Sequence, residues 1–202
     1  MGSAAGYGTP NLELSREETR RRLEFAVTQE PVTAVQLSRG KAEAQLLFEI
    51  TLLAQDTGRL AADLLLFYTQ EFGFVGLPAA FTTGSSIMPQ KRNPDVFELM
   101  RGRSSIAQAA LNEVLGITQK LTSGYHRDLQ LIKPPLFRSI DACLQTLGIL
   151  PSALDGVFFR PENIRLDPGI HAAAAANALV AQEGIPFREA YRRVSAKLGD
   201  ST

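Results

Sequence analysis

The chain has one cysteine, two histidines and no tryptophan among its 202 residues. A single thiol, Cys143, cannot close an internal disulfide, which fits a reducing compartment. His126 and His171 lie far apart in the chain and no cysteine pair exists, so no metal-ligand spacing is present. Neither sign of charge is in excess: 21 basic side chains face 21 acidic ones, for a formal net charge of zero. That balance provides no basic field for nucleic acid or anionic lipid. Long apolar runs are missing as well. The richest, residues 60–68, is broken by Asp63 and falls short of the roughly 18 residues of a membrane span. The opening MGSAAGYGTP has neither a basic start nor an apolar core, unlike a secretory signal. No glycine-rich nucleotide motif follows a strand pattern. These gaps predict a soluble cytoplasmic protein with no cofactor, no bound metal, and no nucleic-acid or membrane partner.

Helix pattern is what the sequence has in quantity. Gly6, Gly8 and Pro10 give an irregular start. Ser15 with Glu17 and Glu18 behind it reads as an N-cap with acids in the first turn, predicting a short helix to about Ala26. Leu46, Ile50, Leu53, Thr57, Leu60, Leu64 and Tyr68 step by threes and fours, as one helix stripe does. With no proline inside 32–77, one helix over about 32–71 is expected, Gly40 weakening it by about 1 kcal/mol. Residues 72–93 read as a loop. Pro94 opens a second long helix with Asn93 as its cap and Asp95 suiting the dipole. Its stripe is Val96, Met100, Arg103, Ala107, Ala110, Val114, Ile117 and Leu121, and Gly124 ends it. A third long helix covers about 135–157 on Ile140, Leu144, Leu147, Leu154 and Val157, with a kink expected at Pro151. Two short helices follow, over about 170–183 and 186–198.

No segment alternates with period two. The predicted fold is therefore all-α: a long-helix bundle over residues 1–159 and a small helical domain over 160–202. Three such stripes cannot bury themselves within one chain, and an elongated bundle continued by other subunits is expected.

One stretch departs from helical logic. Residues 84–95 read GSSIMPQKRNPD. Gly84 and two serines give a flexible, hydroxyl-bearing backbone, Pro89 stiffens it, Lys91 supplies a cation, and Asn93 supplies an amide beside a helix start. The set suits binding an anion and stabilising new negative charge on it. Common Gly-Ser loops and an Asn N-cap would also produce it.

GSSIMPQKRNP resembles the signature of the fumarase/aspartase superfamily, Gly-Ser-Ser-x-Met-Pro-x-Lys-x-Asn-Pro, and every fixed position is present. YHRDLQLIK, residues 125–133, resembles the Tyr-Asn-(Lys/Arg)-Asp-Leu-Gln-x-x-Lys segment of argininosuccinate lyases. Gln90 is typical of that family too, and GIPFREAY (184–191) and GSAAGYG (2–8) resemble further family segments. The resemblance implies elimination of fumarate from argininosuccinate to release arginine, by a homotetramer whose sites draw on three subunits. It implies a loop serine as base, Ser85, with Ser86 the adjacent alternative. It implies Lys91 and Asn93 as stabilisers of the carboxylate charge, and Tyr125, Gln130 and Lys133 as substrate binders. Stabilisation of the serine anion by loop amides and Lys91 is what such a base needs.

Departures accompany the likeness. His126 stands where the family usually has Asn. Ser38 and Arg39 are kept from a Ser-Asp-Arg-Asp motif whose acids are absent, and alanines 172–176 replace an acidic segment. The chain corresponds to a C-terminal half, without the family's Thr-His segment. Two alternatives follow: a non-catalytic truncated paralogue acting as a helical scaffold, or another fumarate-releasing lyase such as adenylosuccinate lyase. Arg92 is compatible with the latter, whereas Gln90 and YHRDLQ oppose it.

Overall fold

Ser15 caps the first helix as its sequence dictates, its hydroxyl accepting the Glu18 amide at 3.1 Å. This helix, α1 (Arg16–Arg22), stops short of Ala26. Arg20 reaches past the end to the carbonyls of Phe25 and Ala26, and Glu24 turns left-handed at φ 57°, folding the chain back. The structure is a computed structural model that describes residue 3 and residues 6–199. Gly2, Ala4 and Ala5 of the glycine-rich start lie outside the described residues, as do 200–202.

The single helix expected over 32–71 is two. A four-residue turn, α2 (Ala34–Leu37), is followed by α3 (Lys41–Tyr68). Gly40 separates them at φ 87°, its amide donating to the Glu43 carboxylate at 2.9 Å. The glycine is a stop rather than a weak spot, because it adopts a backbone conformation that L side chains rarely take.

Three long helices, α3, α4 (Asp95–Thr118) and α5 (Lys133–Asp155), pack as an antiparallel bundle. The face α3 turns inward keeps Thr57 and Leu64 of the expected stripe but is otherwise offset from it by one residue. Leu47, Thr51, Gly58 and Ala61 are buried, whereas Leu46, Leu53 and Leu60 are exposed. Small residues win because they let the helices approach: a β-carbon at Gly58 would stand 2.8 Å from Ser104 Cβ of α4. On α4 the expected stripe holds through Met100, Ala107, Ala110 and Val114. On α5 it does not: Ser139, Thr146 and Ala153 face inward and Leu144 outward.

The core divides along the bundle. One cluster holds Ala61, Leu64, Val75, Phe97, Met100 and Ala153. The other holds Leu47, Ala110, Val114, Leu129 and Ile132. Between them lies a cavity of about 20 Å³ bordered by Thr57, Ser104, Ser139, Cys143 and Thr146. Thr51, Thr57 and Thr146 return their hydroxyls to carbonyls one turn back on their own helices. Ser139, only 1% exposed, has no partner for its hydroxyl among the described residues.

The rings of Phe67, Phe72 and Phe74, in edge-to-face and tilted contact, staple the exit from α3. The exit leads into a two-residue strand, β1 (Val75–Gly76), paired antiparallel with β2 (Phe158–Phe159). So short a ribbon has no alternation to read from sequence.

The chain divides into two compact units, the first ending at Phe159 and the second starting at Arg160. The second contains α6 (Ala172–Glu183) and α7 (Phe187–Gly199). Gly184, left-handed at φ 64°, makes the turn between them. Arg193 pairs with Glu183 across that hairpin and with Glu189 within α7. Among the described residues, no helix is long and apolar enough to cross a membrane.

Candidate active site

The GSSIMPQKRNP segment is a hairpin with a closed neck. Thr83 and Asn93 exchange both backbone hydrogen bonds, at 3.0 and 2.8 Å. The Thr83 hydroxyl donates to the Asp95 carboxylate in the first turn of α4. The Tyr68 hydroxyl donates to the Arg92 carbonyl at 3.3 Å, fastening the neck to the end of α3. Two helix ends thus hold one loop.

Inside the neck the two serines differ. Ser85 Oγ accepts the backbone amides of Ile87 and Met88, at 3.3 and 3.2 Å. Two donors on one oxygen favour its anion. Among the described residues the Ser86 hydroxyl, on an exposed residue, makes no such bond. Lys91 donates its amide to Met88 in a turn around Pro89, and its exposed ammonium has no ion pair among the described residues. Asn93 is not the helix cap. Pro94 occupies that position, with no side-chain cap bond. The Asn93 backbone is used on Thr83, and among the described residues its side-chain amide makes no hydrogen bond. Ile87 stands out at the tip, 86% exposed.

The second segment follows α4. That helix ends at Thr118, and Gly124, at φ 127°, sits in the connecting loop rather than at its end. Arg127–Gln130 then form a 3-10 turn whose Leu129 is driven into the core beside Val114 and Ile132. That burial fixes the flanking polar residues outward. Tyr125 is 49% exposed, with the Arg39 guanidinium 5.7 Å from its ring centre. The Arg127 guanidinium, with smaller contributions from Arg39 and Gln130, holds the Tyr125 phenol below its usual range. Lys133 begins α5 and is exposed. His126 turns its Nε2 to the Thr122 carbonyl at 2.8 Å.

The two segments do not meet within one chain. The hairpin lies where α3 ends and α4 begins; Tyr125 lies where α4 ends and α3 begins. The 24 residues of α4 set a separation of about 36 Å at 1.5 Å per residue. Ser85, Ser86, Lys91 and Asn93 therefore form one group, and Tyr125, Gln130 and Lys133 another. Arg39 and Arg127 join the second group although sequence reasoning assigned them no role. Arg127 fills the Lys/Arg position of the quoted family segment and Arg39 is kept from the Ser-Asp-Arg-Asp motif, but no spacing in the sequence shows that the two meet at Tyr125.

A protein-family model described as "Lyase" matches residues 1–109. The chain is 49% identical over 200 residues to an argininosuccinate lyase of Sorangium cellulosum, covering 98% of this chain and 46% of that protein. It is 47% identical over 199 residues to one of Stenotrophomonas maltophilia, covering 97% and 45%. The chain thus spans under half the length of the relatives it matches. Among solved structures, EDDS lyase in complex with formate overlays with a TM-score of 0.72 at 24% identity, covering 94% of this chain and 38% of that one. A class II fumarase from Schistosoma mansoni gives 0.65 at 17%, covering 87% and 38%. These overlays carry the fold: the helical bundle is of the fumarase/aspartase type.

Proposed function

The chain belongs to the lyase family, and from that membership we propose that its hairpin and its Tyr125 segment serve the cleavage of argininosuccinate into arginine and fumarate. The observation that carries the reading is the Ser85 hydroxyl resting on two backbone amides. A serine with a stabilised anion is fit to remove a proton from the carbon next to a carboxylate. The electron pair passes into that carboxylate, and Lys91 and Asn93 stabilise the added charge. The bond from carbon to the guanidino nitrogen then breaks, leaving fumarate and arginine.

The separation of the two groups along α4 supports a shared site. Leu46, Leu53 and Leu60 form an exposed apolar line on α3, and Leu144 and Phe137 are exposed on α5. Copies laid antiparallel on such faces would bring one hairpin beside another copy's Tyr125, within a homotetramer of the cytoplasm. Fumarate release from argininosuccinate, followed by ultraviolet absorbance, tests this. The chain is assayed alone and then with the N-terminal half of a lyase supplied. Activity in the mixture is the expected result. Its absence from well-folded protein would favour the scaffold reading, and cleavage of adenylosuccinate in place of argininosuccinate would reassign the substrate.

A further inference from the structure

We propose that Arg39 and Arg127, converging on Tyr125, form a carboxylate-recognition site together with Gln130, with Arg39 as a specificity determinant. The inference rests on the reading of the Tyr125 segment as substrate-binding and extends it to two residues given no role there: Arg127, at the Lys/Arg position of the quoted family pattern, and Arg39, from outside the segment.

Three observations carry it. Arg39 comes from the turn before α3, and the left-handed Gly40 fixes where that turn points. Its guanidinium lies 5.7 Å from the Tyr125 ring centre. Arg127 approaches the same phenol from the 3-10 turn anchored by Leu129. Among the described residues, neither guanidinium has an ion pair with a carboxylate. Two guanidiniums beside one tyrosine, neither ion-paired with a carboxylate among the described residues, offer donors to an arriving anion. A guanidinium presents a planar fork that matches a carboxylate in two parallel hydrogen bonds. Gln130 adds an amide donor, and Lys133 stands one helical turn further on.

The absence of the motif's acids beside Arg39 now has a structural meaning, the Glu43 carboxylate four residues on being taken by the Gly40 amide. A neighbouring aspartate would neutralise the guanidinium; without one it lies against Tyr125 in place of an ion pair. A simple brace for the turn would need only the stacked ring, and would be indifferent to anions.

The experiment uses the intact chain and succinate as probe. The phenol of Tyr125 is titrated by its phenolate absorbance, taking the difference from Tyr125→Phe. Succinate bound at the guanidinium pair raises the pKa of the phenol, because an added anion disfavours the phenolate. We expect that rise in the parent chain, its loss in Arg39→Gln, and partial retention in Arg39→Lys. With the lyase N-terminal half supplied, Arg39→Gln should raise KM for argininosuccinate about tenfold, with most of the change in KM rather than kcat. An unresponsive phenol in the parent, or a succinate response that persists in both Arg39→Gln and Arg127→Gln, overturns the site. A succinate response without any lyase activity would leave the site standing and sink the argininosuccinate reading instead.

Discussion

Gly40 and Thr118 meet so closely that a β-carbon on the glycine would stand 2.5 Å from the threonine Cγ2. The contact joins the start of α3 to the end of α4, and Gly40 is already at φ 87°. Gly40→Ala therefore meets both backbone strain and a clash. We expect a loss of about 2 kcal/mol, read as a lower denaturant midpoint. A midpoint equal to the parent's would mean that the turn relaxes freely.

Ser85 and Ser86 are adjacent and should not be equivalent. Ser85→Ala removes the oxygen that two amides share and should lower kcat in the complemented enzyme by about 10² to 10⁴. Ser86→Ala should cost far less. The reverse ranking, with both proteins folded by circular dichroism, would move the base to Ser86.

Lys91 is exposed and has no ion pair among the described residues, so its removal should leave the fold alone. Lys91→Ala should keep the parent's melting temperature within the roughly 0.5 kcal/mol typical of surface changes and abolish nearly all fumarate release. Retained turnover would remove the hairpin from the chemistry.

Ser139 offers a stability test remote from the hairpin. Its buried hydroxyl borders the cavity at the waist of the bundle, without a partner among the described residues. An unsatisfied buried hydroxyl costs about 1–3 kcal/mol, so Ser139→Ala should raise the denaturant midpoint. A lower midpoint would show that a buried water satisfies the hydroxyl and that its loss is felt.

The sequence displayed its helix starts better than its helix faces. Ser15 was readable because a cap is a local hydrogen bond to an amide three residues on. The start of α4 was legible from Pro94 and Asp95, although the cap shifted from Asn93 to Pro94 once Thr83 claimed the asparagine backbone. The inward face of α3 was legible only at Thr57 and Leu64, because Leu46, Leu53 and Leu60 form the stronger apolar line while Gly58 and Ala61 decide which face α4 can approach. Close approach is a property of two helices, and one helix's pattern does not contain it. The same limit hid Arg39. It lies 86 positions before Tyr125 in the sequence and is brought to it only by the antiparallel return of the bundle.

The length of α4 also acts as a gauge. A four-residue insertion between Asp95 and Thr118 would leave the hairpin, the 3-10 turn and both core clusters locally intact, yet add about 6 Å to their spacing. In an assembly where one copy's hairpin must meet another's tyrosine, that mismatch would recur at every site. Substitutions along the outer faces can accumulate one by one, but a change in the count of residues has to be matched at once in α3 and α5. Helix length is thus the quantity least free to drift, and grafting this hairpin onto another bundle calls for matching residue number before matching sequence.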